Sequence, residues 1–225
     1  MDLIELIFPK SCFGCKKAGR YICLDCLDKE QIRAQICPVC RRLSISAKTH
    51  LMCLRPAGLN GLVSFWRYKG AVRKAIVAMK YKFAFDIAKE LGQVLAEKLA
   101  LTPNPLPKKA LLVPIPAYRD RVNWRGFNQA EEVGKVVAQR LGLEFDNSLL
   151  IKKVKTVSQT GLKREERSLN VHEAFGIKLT KRLDKGRAVI IFDDVWTTGA
   201  TLNEAAKTLK RDGERKVWGL TFARG

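Results

Sequence analysis

Beyond residue 60, apolar and polar positions recur with periods that predict strands and helices by turns. Residues 62–69 (LVSFWRYK) read as a strand, followed by helices over 71–79 and 83–101. The second helix carries Ile87, Leu91, Val94, Leu95 and Leu99, the spacing of one helix face. A proline-rich connector at 102–109 (TPNPLPKK) leads to a short apolar strand over 110–115. A helix over 128–141 stops at Gly142, residues 149–154 read as a strand, and 164–170 form a polar stretch, helical or mobile. A buried apolar strand over 187–192, a helix over 200–211 ended by Gly213, and a strand over 216–222 complete the order. Strands and helices in alternation predict an α/β domain, a parallel sheet flanked by helices.

Residues 1–60 follow another pattern. Few large aliphatic side chains occur between Cys12 and Cys53, too few for a core without a staple. All seven cysteines fall in this stretch, as Cys12-x2-Cys15, Cys23-x2-Cys26 and Cys37-x2-Cys40, then His50-x2-Cys53. A C-x2-C turn points two thiolates at one tetrahedral ion, and two such turns complete a zinc shell. Pairing in chain order gives one site from Cys12, Cys15, Cys23 and Cys26 and another from Cys37, Cys40, His50 and Cys53. A crossed pairing fits the spacing too. Histidine is an acceptable zinc ligand; the alternative is a lone histidine beside a free cysteine, with the second set holding no metal. A redox role is disfavoured, because the pairs lack a strand–helix setting. Zinc closed by four protein ligands is structural and supplies folding free energy. Two domains are therefore expected: a cysteine-rich double zinc-finger-like module over 1–60 and the α/β domain over 61–225.

Composition narrows the classes. With 47% hydrophobic and 28% charged residues the chain reads as soluble and globular. Nothing approaches the roughly 18 uninterrupted apolar residues of a membrane-spanning helix, and the apolar start is broken by Asp2 and Glu5, unlike a secretory signal. An odd number of cysteines in close pairs fits a reducing compartment, so a cytoplasmic location is expected. The formal charge of +20 suits a polyanion or a phosphorylated ligand as partner. A solvated lysine-rich surface would look the same.

The most informative string is VIIFDDVWTTGAT at 189–201. An apolar strand runs into two acids, then a small hydroxyl-rich turn, then a helix. Strands of open parallel sheets present their carboxyl ends to a ligand crevice. Asp193 and Asp194 at such an end can accept from a vicinal diol or hold a hydrated magnesium. Thr197, Thr198, Gly199, Ala200 and Thr201 would turn amides and hydroxyls toward an anion at the helix N-terminus, with Gly199 allowing close approach. The plain alternative is an ordinary strand followed by a helix that Asp and Thr cap.

The string resembles the phosphoribosyl pyrophosphate (PRPP) motif of type I phosphoribosyltransferases. That resemblance implies that Asp193 and Asp194 hold the ribose and are the catalytic acids, while residues 197–201 hold the 5′-phosphate. The chain as a whole is similar to the ComF family, the competence-associated, amidophosphoribosyltransferase-like proteins. Carrying that likeness are Val113-Pro-Ile-Pro116, Arg125-Gly-Phe-Asn-Gln129, the Gln159, Leu162, Arg167, Asn170 and Phe175 stretch, and a cysteine module ahead of the PRPP-type domain. His50-x2-Cys53 stands where that family often has a further C-x2-C. Arg125 and Arg167 suit a diphosphate clamp, since guanidinium forks bind phosphate oxygens in pairs; each would equally serve a surface ion pair. Asn128 and Gln129 begin a helix, to cap it or to touch ligand. By the likeness, 152–170 is a loop closing over the ligand.

Two functions follow from the resemblance. One is a PRPP-binding protein in the uptake of single-stranded DNA during natural transformation, with DNA and a DNA-uptake helicase as partners. The other is an active, magnesium-dependent phosphoribosyltransferase of nucleotide metabolism whose acceptor the sequence does not define. The aromatics Phe65, Trp66 and Tyr68 in a basic segment would support the first by stacking on bases, but core packing is the preferred reading of them.

Overall fold

The computed structural model describes residues 9–79, 81, 84–103, 106–118, 126–153, 174–178, 187–213 and 216–225. Among the described residues, the main sheet has five strands, all parallel: β1 (Gly61–Arg67), β2 (Ala110–Pro114), β3 (Glu144–Phe145), β6 (Ala188–Trp196) and β7 (Val217–Arg224), in the spatial order β1-β7-β6-β2-β3. After α1 (Leu24–Lys29) in the cysteine-rich segment, helices α2 (Gly70–Ala78), α3 (Ala84–Leu101), α4 (Gln129–Leu141) and α5 (Ala200–Arg211) flank the sheet. The parallel α/β layout expected from the sequence is thus what forms.

β6 shows why the sheet is buried on both sides. Alternate residues of a strand face opposite ways. Ile190 and Phe192 join Leu112, Leu220 and the inner faces of α2, α3 and α4, while Val189 and Ile191 join Leu111, Val113 and Leu202, Ala205, Ala206 and Leu209 of α5. A continuous apolar run is the sequence form of such a two-sided strand. Asn128 caps α4: its side chain accepts from the Ala130 amide at 3.2 Å and donates to the Ile115 carbonyl at 3.0 Å, tying the helix to the end of β2. Gly142 ends α4 in the left-handed conformation, φ 63°.

Three differences from expectation stand out. The strand at 149–154 does not enter the sheet; β4 (Leu150–Lys152) pairs antiparallel with β5 (Phe175–Ile177) as a separate ribbon. Leu149, Leu150 and Phe175 are buried against the α5 side, so the ribbon covers that face. β3, only two residues long, carries too little pattern to be read. β6 also runs four residues further than its apolar run, through both acids to Trp196, because β7 continues to pair with it as far as Arg224.

The cysteine-rich segment packs on the sheet's β1 edge. The Ile32 amide donates to Phe65 O at 2.7 Å and Arg67 N to Glu30 O at 2.7 Å, while the Gln35 amide group exchanges two bonds with the Ser64 backbone. An otherwise open strand edge is satisfied in this way. Phe65 and Trp66 are 3% exposed and belong to the core, as preferred above; Trp66 stacks on Phe222 at 4.4 Å.

Candidate metal centres and phosphate cradle

The cysteines assemble in chain order. Cys12, Cys15, Cys23 and Cys26 form one group, and Cys37, Cys40, His50 and Cys53 the other, with the donor atoms of each within 4.8 Å of one another. The crossed pairing is not formed. In the first group the amides of Gly14 and Cys23 both donate to Cys12 Sγ at 3.4 Å, bonds that favour a thiolate. Burial works upward on the Cys12 thiol, yet those backbone donors prevail and bring it down to about 6. Burial and the neighbouring thiols push Cys26 up to about 12. So close a set cannot all ionise without a cation between them, the condition zinc meets.

The second group passes a sharper test. His50 Nε2 donates to the Leu43 carbonyl at 2.9 Å, leaving Nδ1 bare and 3.3 Å from Cys40 Sγ. A carbonyl that fixes the tautomer and frees the other nitrogen is the usual outer support of a zinc-ligating histidine. Burial acts first on Cys37 too, but backbone donors from Cys40, His50 and Val39 bring it to about 7, while burial and Cys40 raise Cys53 to about 11. Both groups therefore fit zinc, which would supply folding energy there.

The string at 189–201 lies at the carboxyl end of the sheet. Asp193 and Asp194 are half-buried at the rim, and the Asp194 amide donates to Asp193 Oδ1 at 2.9 Å. Burial, and then the charge of Asp194, raise the Asp193 carboxyl well above the usual carboxylate range; Lys152 at the end of β4 pulls the other way. Asp194 instead shares its surroundings with Tyr68 and Arg73: burial and the Asp194 charge raise the Tyr68 hydroxyl, and Arg73 opposes them. Thr197 and Thr198 are half-exposed. Thr198 Oγ1 accepts from the Ala200 amide at 3.3 Å, and Gly199, at φ 87°, turns the chain into α5. A side chain there would be strained by that φ, and its Cβ would stand 2.7 Å from Trp196 Nε1. Helix N-termini leave amides without intrahelical acceptors, so the turn suits an anion. Two cavities lie elsewhere: about 370 Å³ beside Lys108, Lys109 and Arg187 at the amino ends of β2 and β6, and about 560 Å³, mostly apolar, near Leu99–Leu101 at the end of α3. The acids and Thr197 and Thr198 are partly exposed.

Arg125, Arg167 and the stretch from 154 to 173, with Gln159, Leu162 and Asn170, lie outside the described residues. Tyr68 feels the charge of Asp194, and Asp193 that of Lys152, although no motif in the local sequence marks Tyr68 or Lys152 for it. Arg41 also reaches the cradle: its Nη2 donates to Thr197 O at 3.0 Å and Thr198 O at 3.2 Å. Its signal was the pair of basic residues that follows both Cys12-x2-Cys15 and Cys37-x2-Cys40.

No family model matches the chain. It is 31% identical over 219 residues to "Competence protein F" of Haemophilus influenzae, covering 94% of this chain and 90% of that one. It is 30% identical over 210 residues to "DNA utilization protein YhgH" of Salmonella typhi, covering 88% and 89%. Among solved structures, the glutamine PRPP amidotransferase of B. subtilis overlays with a TM-score of 0.38 at 15% identity, over 91% of this chain and 33% of that one, too low to bear weight. Among the described residues, no helix is long and apolar enough to cross a membrane.

Proposed function

The chain belongs to the competence protein F (ComF) family, and from that premise we propose that it is a PRPP-binding, phosphoribosyltransferase-like protein acting in the cytoplasm in single-stranded DNA uptake during natural transformation. The observation that carries the ligand reading is β6 itself, running through Asp193 and Asp194 into a glycine-turned entry to α5. The turn at 197–201 takes the 5′-phosphate on its amides and hydroxyls. Asp193 and Asp194 accept from the ribose hydroxyls and, with magnesium, balance the diphosphate. A divalent cation would offset both the burial and the Asp194 repulsion that lift the Asp193 carboxyl. Arg125 and Arg167 are assigned to the diphosphate by likeness alone. The names of the relatives, "Competence protein F" and "DNA utilization protein", support the DNA-handling role.

Calorimetry with PRPP tests the ligand reading. Magnesium-dependent binding that Asp193→Asn and Asp194→Asn each weaken is expected; no heat at millimolar PRPP overturns it. The DNA role predicts single-stranded DNA binding whose log affinity falls linearly with log salt, as the charge of +20 favours. Salt-independent or absent binding removes it. The intact acid pair favours a second reading, transfer of the phosphoribosyl group to an acceptor, tested by PRPP consumption over a panel of bases and amines.

A further inference from the structure

Arg41 belongs to the second cysteine group by sequence and to the phosphate turn by contact. Its backbone is held by the knuckle: the Arg41 amide donates to Cys37 O at 3.0 Å, the Cys37 amide to Arg42 O at 2.9 Å, and Arg41 itself sits at φ 60°. A left-handed non-glycine residue keeps that conformation only where its surroundings enforce it. Its guanidinium carbon lies 4.8 Å from the centre of the Trp196 ring, and one nitrogen grips the carbonyls of Thr197 and Thr198. The turn is thus held against a fixed floor, since Trp196 is 2% exposed and tucked under Gly199.

What the grip does follows from peptide geometry. In a planar trans peptide the carbonyl and the next amide point in opposite directions. Fixing the Thr197 carbonyl toward Arg41 aims the Thr198 amide away from it, and fixing the Thr198 carbonyl does the same for Gly199. Two consecutive amides are thereby presented together on the face opposite Arg41, the arrangement that binds an anion.

Resting on the reading of 189–201 as a sugar-phosphate cradle, we infer that Arg41 is a positioning residue for that cradle, and that metal ligation by Cys37, Cys40, His50 and Cys53 sets its affinity for a 5′-phosphate. Arg41 stands behind the turn and does not touch the ligand. Loss of metal from the second group frees the knuckle, releases the guanidinium and lets the two peptide planes rotate.

The test is calorimetry on the full chain with ribose 5-phosphate, PRPP plus magnesium, and pyrophosphate plus magnesium, with metal content measured on each sample. Arg41→Ala should weaken ribose 5-phosphate and PRPP about tenfold, the scale of losing charge-assisted hydrogen bonds, and leave pyrophosphate unchanged. Arg41→Lys should recover part of the loss, keeping a donor without the planar fork. Cys40→Ser should show the same selective loss, and combining it with Arg41→Ala should add nothing further. Wild-type affinity in Arg41→Ala overturns the inference, as does an equal loss of all three ligands, or full affinity in Cys40→Ser with one metal ion gone. A wild-type chain that binds none of the three overturns the cradle itself, a separate result.

Discussion

Cys12-Phe13-Gly14-Cys15-Lys16-Lys17 and Cys37-Pro38-Val39-Cys40-Arg41-Arg42 fold as the same turn. In each, the first cysteine's amide bonds to the carbonyl five residues on, the residue after the second cysteine bonds back to the first, and that residue is left-handed, Lys16 at φ 66° and Arg41 at φ 60°. Their surroundings differ. Cys12 and Cys37 are both fully buried, but the first turn is pressed further into the core: Cys26 is nearly buried where Cys40 is exposed, and a Cβ on Gly14 would stand 2.6 Å from Cys26 Sγ and 2.8 Å from Ala71 Cβ of α2. Val39, at the matching position of the second turn, is exposed. One centre sits in the hydrophobic core; the other lies at its margin and carries the arginine that bonds to the turn at Thr197 and Thr198. The same covalent motif thus packs into the core in one place and reaches across to the turn before α5 in the other.

The largest expected effect separates the two directly. Cys12→Ser should remove one metal ion and unfold the chain or lower its melting temperature by more than about 10 °C, because structural zinc supplies on the order of 10 kcal/mol. Cys40→Ser should also remove one ion but cost far less stability, since Cys40 is exposed and Val39, Leu43, Leu51 and Met52 around it face solvent. Circular-dichroism melts beside metal analysis decide; equal losses would break the comparison.

Next comes the link between the first centre and α3. The Glu90 carboxylate accepts from the amides of Tyr21 and Ile22 at 3.1 and 3.0 Å. Glu90→Ala leaves both donors unpaired and should cost about 3 kcal/mol in urea unfolding, with Glu90→Gln about half as costly. A cost under about 0.5 kcal/mol would show that the first centre does not lean on the helix.

These contrasts show how far the sequence could be read. The regular helices and the apolar strand of β6 were legible because burial imposes their period, and α5 over Ala200–Arg211 falls where its pattern puts it. Both metal groups were legible because ligand spacing is local. The ribbon of β4 and β5 was not: its two strands are separated by more than twenty residues, and three-residue strands carry no usable period. Nor was the approach of Arg41, Tyr68 and Lys152 to the cradle, since each arrives through chain topology, Arg41 from 156 residues away. Sequence shows which groups suit an anion or a cation, but not what holds them in place.

Asp193 tests the functional side of the comparison, where the fold carries a cost. Its carboxyl is raised by burial and by Asp194, so the folded state favours the protonated form. That contribution is present below the ordinary carboxylate range and is lost as pH rises through the raised value. Asp193→Asn removes the penalised charge. Its melting temperature should match the wild type in acid and exceed it increasingly toward neutral pH, by about 2–4 °C for each kcal/mol relieved, while PRPP binding falls. A pH-independent difference between the two melts would show that the acid is not strained in the folded protein.

The smallest effect concerns the outer skin of the second centre. Leu43, Ile45, Leu51 and Met52 surround it, and Ile45 and Met52 are essentially fully solvated. A side chain that buries no area on folding adds nothing to stability through its apolar surface. Ile45→Ser and Met52→Ser should therefore change the unfolding free energy by no more than about 0.5 kcal/mol and leave both metal ions bound. The same exchange at Ile22, buried beside the first centre, should cost several-fold more, since it removes a packed side chain and leaves a polar hydroxyl in the core. If Ile45→Ser proved as costly as Ile22→Ser, the second centre would have a core of its own, and its service to the phosphate turn would be incidental to its packing.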